Sequence, residues 1–210
     1  MAGNSDPVEP RDIVEVMQHA AKHYWHFIQT NIFETFSVQD LENLELVSTE
    51  KLQEWLEQQQ RVERPYGPGK PTTRDLFTYA LVLCEVSDWI PDLDLNARLE
   101  KLFALARAVQ LTRSGRFPHK PGNFYWWIEG RMQAILKTRG VISRHSPGPH
   151  IDQNGADFCM QGAALLWLRH RHRMSRDVRA LLRRIMSNSS VTFKQQFCRN
   201  PAVFGKGEIF

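Results

Sequence analysis

The sequence predicts an all-α protein of about eight helices. Three observations carry that expectation. Apolar residues recur at helical spacing through most of the chain. No stretch alternates apolar and polar residues over the length of a strand. Proline- and glycine-rich breaks at 63–72, 116–123 and 140–155 separate the periodic segments.

Residues 1–9 read as a flexible polar tail. Pro10, Asp12 and Glu15 suit a helix start, and Ile13, Met17, Ala20, Tyr24, Phe27 and Ile28 then form one stripe over 10–31. His19, His23 and His26 share a neighbouring face; without further ligands at zinc spacing, a half-exposed polar stripe is the plainer reading. Ser37, with Asp40 three residues on, reads as an N-cap for a short helix over 38–47 that buries Leu41 and Leu44. Ser48 caps the next helix, 49–62, with Leu52, Trp55 and Leu56 inward. Its other face carries Glu50, Glu54 and Glu57.

The 63–72 break is a loop within one body or a hinge between an acidic helical lobe, 10–62, and a basic helical core, 73–187. Beyond it, Thr72 or Thr73 caps a helix that buries Leu76, Phe77, Ala80, Leu81 and Cys84 and ends at Trp89-Ile90-Pro91. A further helix over 94–113 buries Leu95, Leu99, Leu102, Phe103 and Ala106, with Gly115 as its stop. After the loop at 116–123, Asn123 is the expected N-cap of a helix that Gly140 closes. Phe124, Tyr125, Trp126 and Trp127 would fill its first turn. Successive helix positions point about 100° apart, so at least one ring is expected near the surface, beside Arg116, Lys120 and Arg131.

Residues 158–186 carry seven arginines, two histidines and a single acid, Asp177. Met174, Val178, Leu181, Leu182 and Ile185 nonetheless keep one buried stripe, while Arg176, Arg179 and Arg183 share another face. Ser175 is the expected N-cap of this last piece. The alternation at 169–173 (Arg169, Arg171 and Arg173 between histidines) would splay around a helix. From 188 to 210 the chain is apolar but broken by Pro201, Gly205 and Gly207, and reads as an extended arm that docks through Phe193, Phe197, Phe204 and Phe210 on its own domain or on another copy.

The composition, 42% hydrophobic and 24% charged, is that of an ordinary globular chain. No apolar run approaches the roughly 20 residues that span a bilayer, and the N-terminus lacks a secretory leader. Three scattered cysteines fit a reducing intracellular compartment, cytoplasm or nucleus, or the interior of a virion. Residues 1–110 sum to a net charge of −8 and residues 111–210 to +12. Either the basic half meets a polyanion and the acidic half does not, or acidic and basic faces meet between copies, or the two halves neutralise each other within one fold.

Signatures of enzymes are missing: no GxxxxGK[ST], GxGxxG or GxSxG occurs, and carboxylates are sparse in the basic half. No cofactor is expected. The weak metal candidates are His145, His150 and Cys159, with His170 or His172. Cations interleaved with aromatics suit single-stranded nucleic acid, rings for bases and guanidiniums for phosphates. The leading expectation is therefore a non-enzymatic, sequence-tolerant single-stranded RNA-binding protein that assembles with copies of itself, of the physical type of a viral nucleoprotein or helical coat protein. Its phosphate contacts would come from Arg169, Arg171, Arg173, Arg176, Arg179, Arg183 and Arg184, with Arg116, Lys120 and Arg131 on a facing wall and Tyr125 or Trp126 as the stacking face. Glu50, Glu54 and Glu57 and the C-terminal phenylalanines would serve assembly. The alternatives are a regulatory adaptor that binds a protein through the aromatic helix and arm, and a DNA-binding regulator that uses a helix at 175–186.

Overall fold

The central element is a helix that is buried almost all the way round. In a computed structural model of the chain, which describes residues 15, 16, 19, 35–59, 72–90, 92–111, 121–152 and 154–199, this helix is Leu95–Ala108. The elements in order are α1 (Val38–Glu42), a 3₁₀ turn (Leu44–Leu46), α2 (Thr49–Gln59), α3 (Thr73–Val86) with a 3₁₀ extension (Ser87–Trp89), α4 (Leu95–Ala108), α5 (Gly130–Thr138), α6 (Gly155–Leu165), a π-helical turn (Leu166–His170), a second 3₁₀ turn (Arg171–Arg173) and α7 (Arg176–Arg199). The all-α expectation holds: among the described residues there is no strand, only two isolated β-bridges. Of the helix expected over 10–31, Glu15, Val16 and His19 are helical; its other residues and the tail at 1–9 lie outside the described residues.

The helix starts follow the sequence closely. Ser37 Oγ accepts from Asp40 N (3.1 Å), and Asp40 Oδ2 accepts from Ser37 N (2.9 Å), a reciprocal capping box. Asp75 repeats the return bond to Thr72 N at 2.8 Å. Ser48 Oγ accepts from Lys51 N, Asp94 Oδ1 from Ala97 N and Ser175 Oγ from Val178 N. Each short oxygen satisfies an amide that the first turn leaves without a partner.

α4 packs against α1, α3 and α7, α6 against α3 and α7, and α2 against α5. Because neighbours surround it, α4 buries Ala104 and Leu105 as well as the expected Leu99, Leu102, Phe103 and Ala106. One cluster of buried side chains runs from Phe36 to Ile185, so the helices described before residue 60 and after residue 72 share a core. On α7 the expected stripe is present: Val178, Leu182 and Ile185 are fully buried, each by roughly 1.5–3 kcal/mol of apolar transfer.

Two expectations are corrected. The first is the aromatic helix. The helix begins at Gly130, not at the aromatic run, and residues 124–127 are non-helical, with a bend at Trp126. Phe124 bridges Gln110 and Trp127 bridges Thr72. Tyr125 N donates to Val109 O, Trp126 N to His150 O, and Thr73 N to Trp126 O. With backbone partners on both sides the segment needs no helical bonds. Asn123, instead of capping a helix, donates through Nδ2 to Asp152 O at 2.8 Å.

The second is the start of the arm. α7 does not break at Ser187-Asn188-Ser189-Ser190 but continues to Arg199. The small residues are there for close packing. Gly122, at φ 89°, lies so near α7 that a Cβ on it would sit 1.9 Å from Asn188 O. Ser189, fully buried, donates to Gly122 O at 2.9 Å. Gln110 Nε2 reaches Ile185 O and Ser189 Oγ, both at 3.0 Å, while its Oε1 accepts from Asn188 Nδ2. A larger side chain at Ser189 would force these segments apart. Phe193 and Phe197 fall on the helical backbone, but their side chains, like all of Phe204 and Phe210, lie outside the described residues.

Candidate nucleic-acid interface

The site is built where α6 gives way to α7. A π-helical turn takes in an extra residue and changes the facing of the residues beyond it. His170 turns inward, 6% exposed, and Trp167 is half-buried, packed against the core. The Arg171 guanidinium carbon lies 5.7 Å from the Trp167 ring centroid and that of Arg183, on α7, lies 5.2 Å from it. Both distances are in cation–π range. Leu165 (47% exposed) and Leu168 (71% exposed) leave apolar surface on the same stretch. Arg171, Arg176, Arg179 and Arg183 are all exposed. Among the described residues none of these four makes an ion pair.

The arginines beside them behave differently. Glu85 of α3 receives Arg169 and His170 together, each at 3.0 Å. Arg173 pairs with Asp88 and donates a second bond, 2.7 Å, to Cys84 O at the end of α3. These two arginines hold the turn against α3. Arg184 stands about 100° round α7 from Arg183 and faces another way, toward a pocket it shares with Arg107 and Arg131.

Of the opposite wall expected from the aromatic run, only Tyr125, Trp126 and Arg131 fall among the described residues. Tyr125 is 1% exposed and offers no face to a base. Trp126 is half-buried in an aromatic cluster: its ring centroid is 5.8 Å from Phe158 and 6.3 Å from Trp127, both edge-on. Phe158, near the start of α6, is roughly 13 Å of helix rise from Trp167. Arg131 pairs with Glu45. Arg116 and Lys120 lie outside the described residues. Glu50, Glu54 and Glu57 are exposed along the outer face of α2.

Trp167 is the residue that sequence reasoning passed over. It lies within the arginine-rich stretch, i to i+4 with Arg171, which is the spacing of neighbours on one helix face. The aromatic run at 124–127 drew the stacking role only because its rings are more numerous.

Nucleophile and metal chemistry find little support. Burial pushes the Cys84 thiol up to about 12 and also raises Cys159, so neither is a thiolate near neutral pH. Among the described residues no three His, Cys, Asp or Glu side chains converge to hold a metal ion, and His145, His150 and Cys159 do not form such a group. No described helix is long and apolar enough to cross a membrane. Comparisons of the chain with protein-family models, with curated proteins and with solved structures gave no match.

Proposed function

We propose that this chain is a non-enzymatic, sequence-tolerant single-stranded RNA-binding protein that assembles with copies of itself. One observation carries the reading: Trp167, half-buried, lies against two guanidiniums and beside Arg176 and Arg179, which make no ion pair among the described residues. Its ring can stack on any base, because every base has a π-face, and the guanidiniums can neutralise phosphates of any sequence. Arginines also read guanine edges in the major groove, so binding to duplex is what separates this reading from a recognition helix. Assembly is supported by charge. The outer face of α2 is acidic while residues 111–210 carry a net charge of +12, so a head-to-tail contact that sets α2 against basic surface of the next copy outside the RNA face brings opposite charges together.

The test is fluorescence anisotropy of a labelled, unstructured single-stranded RNA, at low and at high salt. Binding that is tight at low salt, falls steeply with salt and is weaker for duplex of the same length is expected. Trp167→Ala should lose about 1–3 kcal/mol of RNA binding at a temperature where circular dichroism shows the variant folded; because the ring also packs against the core, the melting temperature should fall as well. Failure to bind at low salt sinks the proposal, and equal affinity for duplex DNA would favour a DNA-binding regulator. Sedimentation with and without RNA tests assembly; a strict monomer in both removes that half of the reading.

A further inference from the structure

A pocket of about 450 Å³ opens between the α1–3₁₀ segment and the α4–α7 pair. That volume lies within the range of about 300–1,000 Å³ usual for small-molecule sites. Three guanidiniums line it: Arg107 from α4, Arg131 from α5 and Arg184 from α7. Arg131 is neutralised by Glu45. Arg107 and Arg184 make no ion pair among the described residues, and they face the same space. Burial, and then the neighbouring Arg184 charge, lowers the Arg107 pKa. Two like charges without a counter-ion destabilise each other, and a fold that holds them together over a cavity leaves room for an anion.

The remaining wall limits what that anion carries. Leu46 stands at the rim, 84% exposed, and Leu181 is half-buried opposite. An exposed leucine at a pocket mouth is apolar surface available to a ligand. Glu42 and Glu45 add carboxylates at the edge, which accept from hydroxyl or amino groups. The amide of Gln110, which also lines the pocket, is already committed to Gly122, Ile185, Ser189 and Asn188, so recognition falls to the arginines.

We propose that this pocket binds a nucleoside monophosphate: its phosphate on Arg107 and Arg184, its base against Leu46 and Leu181, and its hydroxyl or amino groups toward Glu42 and Glu45. A dianionic phosphomonoester matches two free guanidiniums where a single carboxylate leaves one uncompensated. The site stands apart from the Trp167 interface, with which it shares no residue once Arg184 is assigned to the pocket. The nucleotide is either a free one or the 5′-phosphorylated end of an RNA.

Isothermal titration of the full chain tests it, with adenosine and uridine 5′-monophosphates, adenosine, and inorganic phosphate as probes. At least one monophosphate should saturate at or below millimolar concentration, with adenosine and inorganic phosphate at least about tenfold weaker. Arg184→Gln, at an exposed position, and Arg107→Gln should each cost about tenfold or more without lowering the melting temperature. Trp167→Ala should leave monophosphate binding unchanged, which separates this site from the interface. Two RNA oligomers that differ only in a 5′-phosphate then identify the source: tighter binding of the phosphorylated one, abolished by Arg184→Gln, marks an RNA end, and equal binding of the two beside retained monophosphate binding marks a free nucleotide. No saturation by either monophosphate, adenosine binding as tightly as its phosphate, or full affinity in Arg184→Gln would overturn the proposal.

Discussion

Arg169 and Arg173 on one side, and Arg176, Arg179 and Arg183 of α7 on the other, are neighbours in sequence and opposites in their contacts. Arg169 and Arg173 meet Glu85 and Asp88 of the α3 region, and Arg173 also bonds the Cys84 carbonyl. Arg176, Arg179 and Arg183 meet no acid among the described residues. The first group is used in holding the fold together; the second is left facing outward. Local arginine density does not separate the two, since both stretches read as dense positive charge. The acids that distinguish them lie more than 80 residues upstream, brought over by the packing of α3 against α6 and the π turn. A cation in a basic stretch is therefore evidence for a polyanion partner only after the fold's own acids have been matched to it.

Substitutions can break or sharpen this contrast. The largest effect on stability should come from Gly122→Ala. A Cβ at φ 89°, 1.9 Å from Asn188 O, has no room, and moving α7 disturbs both groups of arginines together. A loss of about 3 kcal/mol or more in chemical denaturation is expected; a near-neutral result would mean that α7 is not docked through Ser189. Next comes the combined Arg176→Ala, Arg179→Ala and Arg183→Ala variant. RNA affinity at low salt should fall on the order of a hundredfold, and the slope of log K against log salt should flatten by up to about two to three units. Its unfolding free energy should stay within about 0.5 kcal/mol of the parent. If stability falls and RNA binding does not, the roles of the two groups are exchanged.

Arg173→Ala should do the reverse. It removes the bonds to Asp88 and to the Cys84 carbonyl, which keeps Ser87 Oγ as a donor, for a loss of about 1–2 kcal/mol of stability with little change in salt slope. Arg169→Ala should show the smallest effect. Its side chain is 63% exposed, and a surface pair of that kind contributes less than about 1 kcal/mol. A thermal melt that drops for Arg173→Ala but barely for Arg169→Ala would show that the carbonyl contact, rather than charge pairing in general, secures the turn.

The aromatic residues teach the same lesson through packing. Phe124 to Trp127 are conspicuous in the sequence, but their backbone is claimed by Val109, Thr73 and His150, and two of their rings are buried. Trp167 is half-buried like Trp126, but its neighbours are two arginines where those of Trp126 are other rings. No local pattern distinguishes a ring that fills a core from one that faces solvent, because the difference is made by partners distant in the chain. The serines at 187–190 mislead for the same reason. Small polar residues read as a helix break until Gly122 and Gln110 are seen to lie against them.

Helix identity, most helix starts and the buried stripe of α7 were already written in the chain. They depend on contacts within three or four residues: a capping oxygen, a period of 3.6, a proline or glycine that stops a turn. The net charge and its division between halves also come from composition alone. Tertiary structure decided which arginines pair with acids of the fold, which rings are buried and where Arg107 and Arg184 share a pocket. Pairing and burial depend on surfaces brought together from 50 to 90 residues away, and the energy of a charge or a ring depends on what stands beside it rather than on what precedes it in sequence.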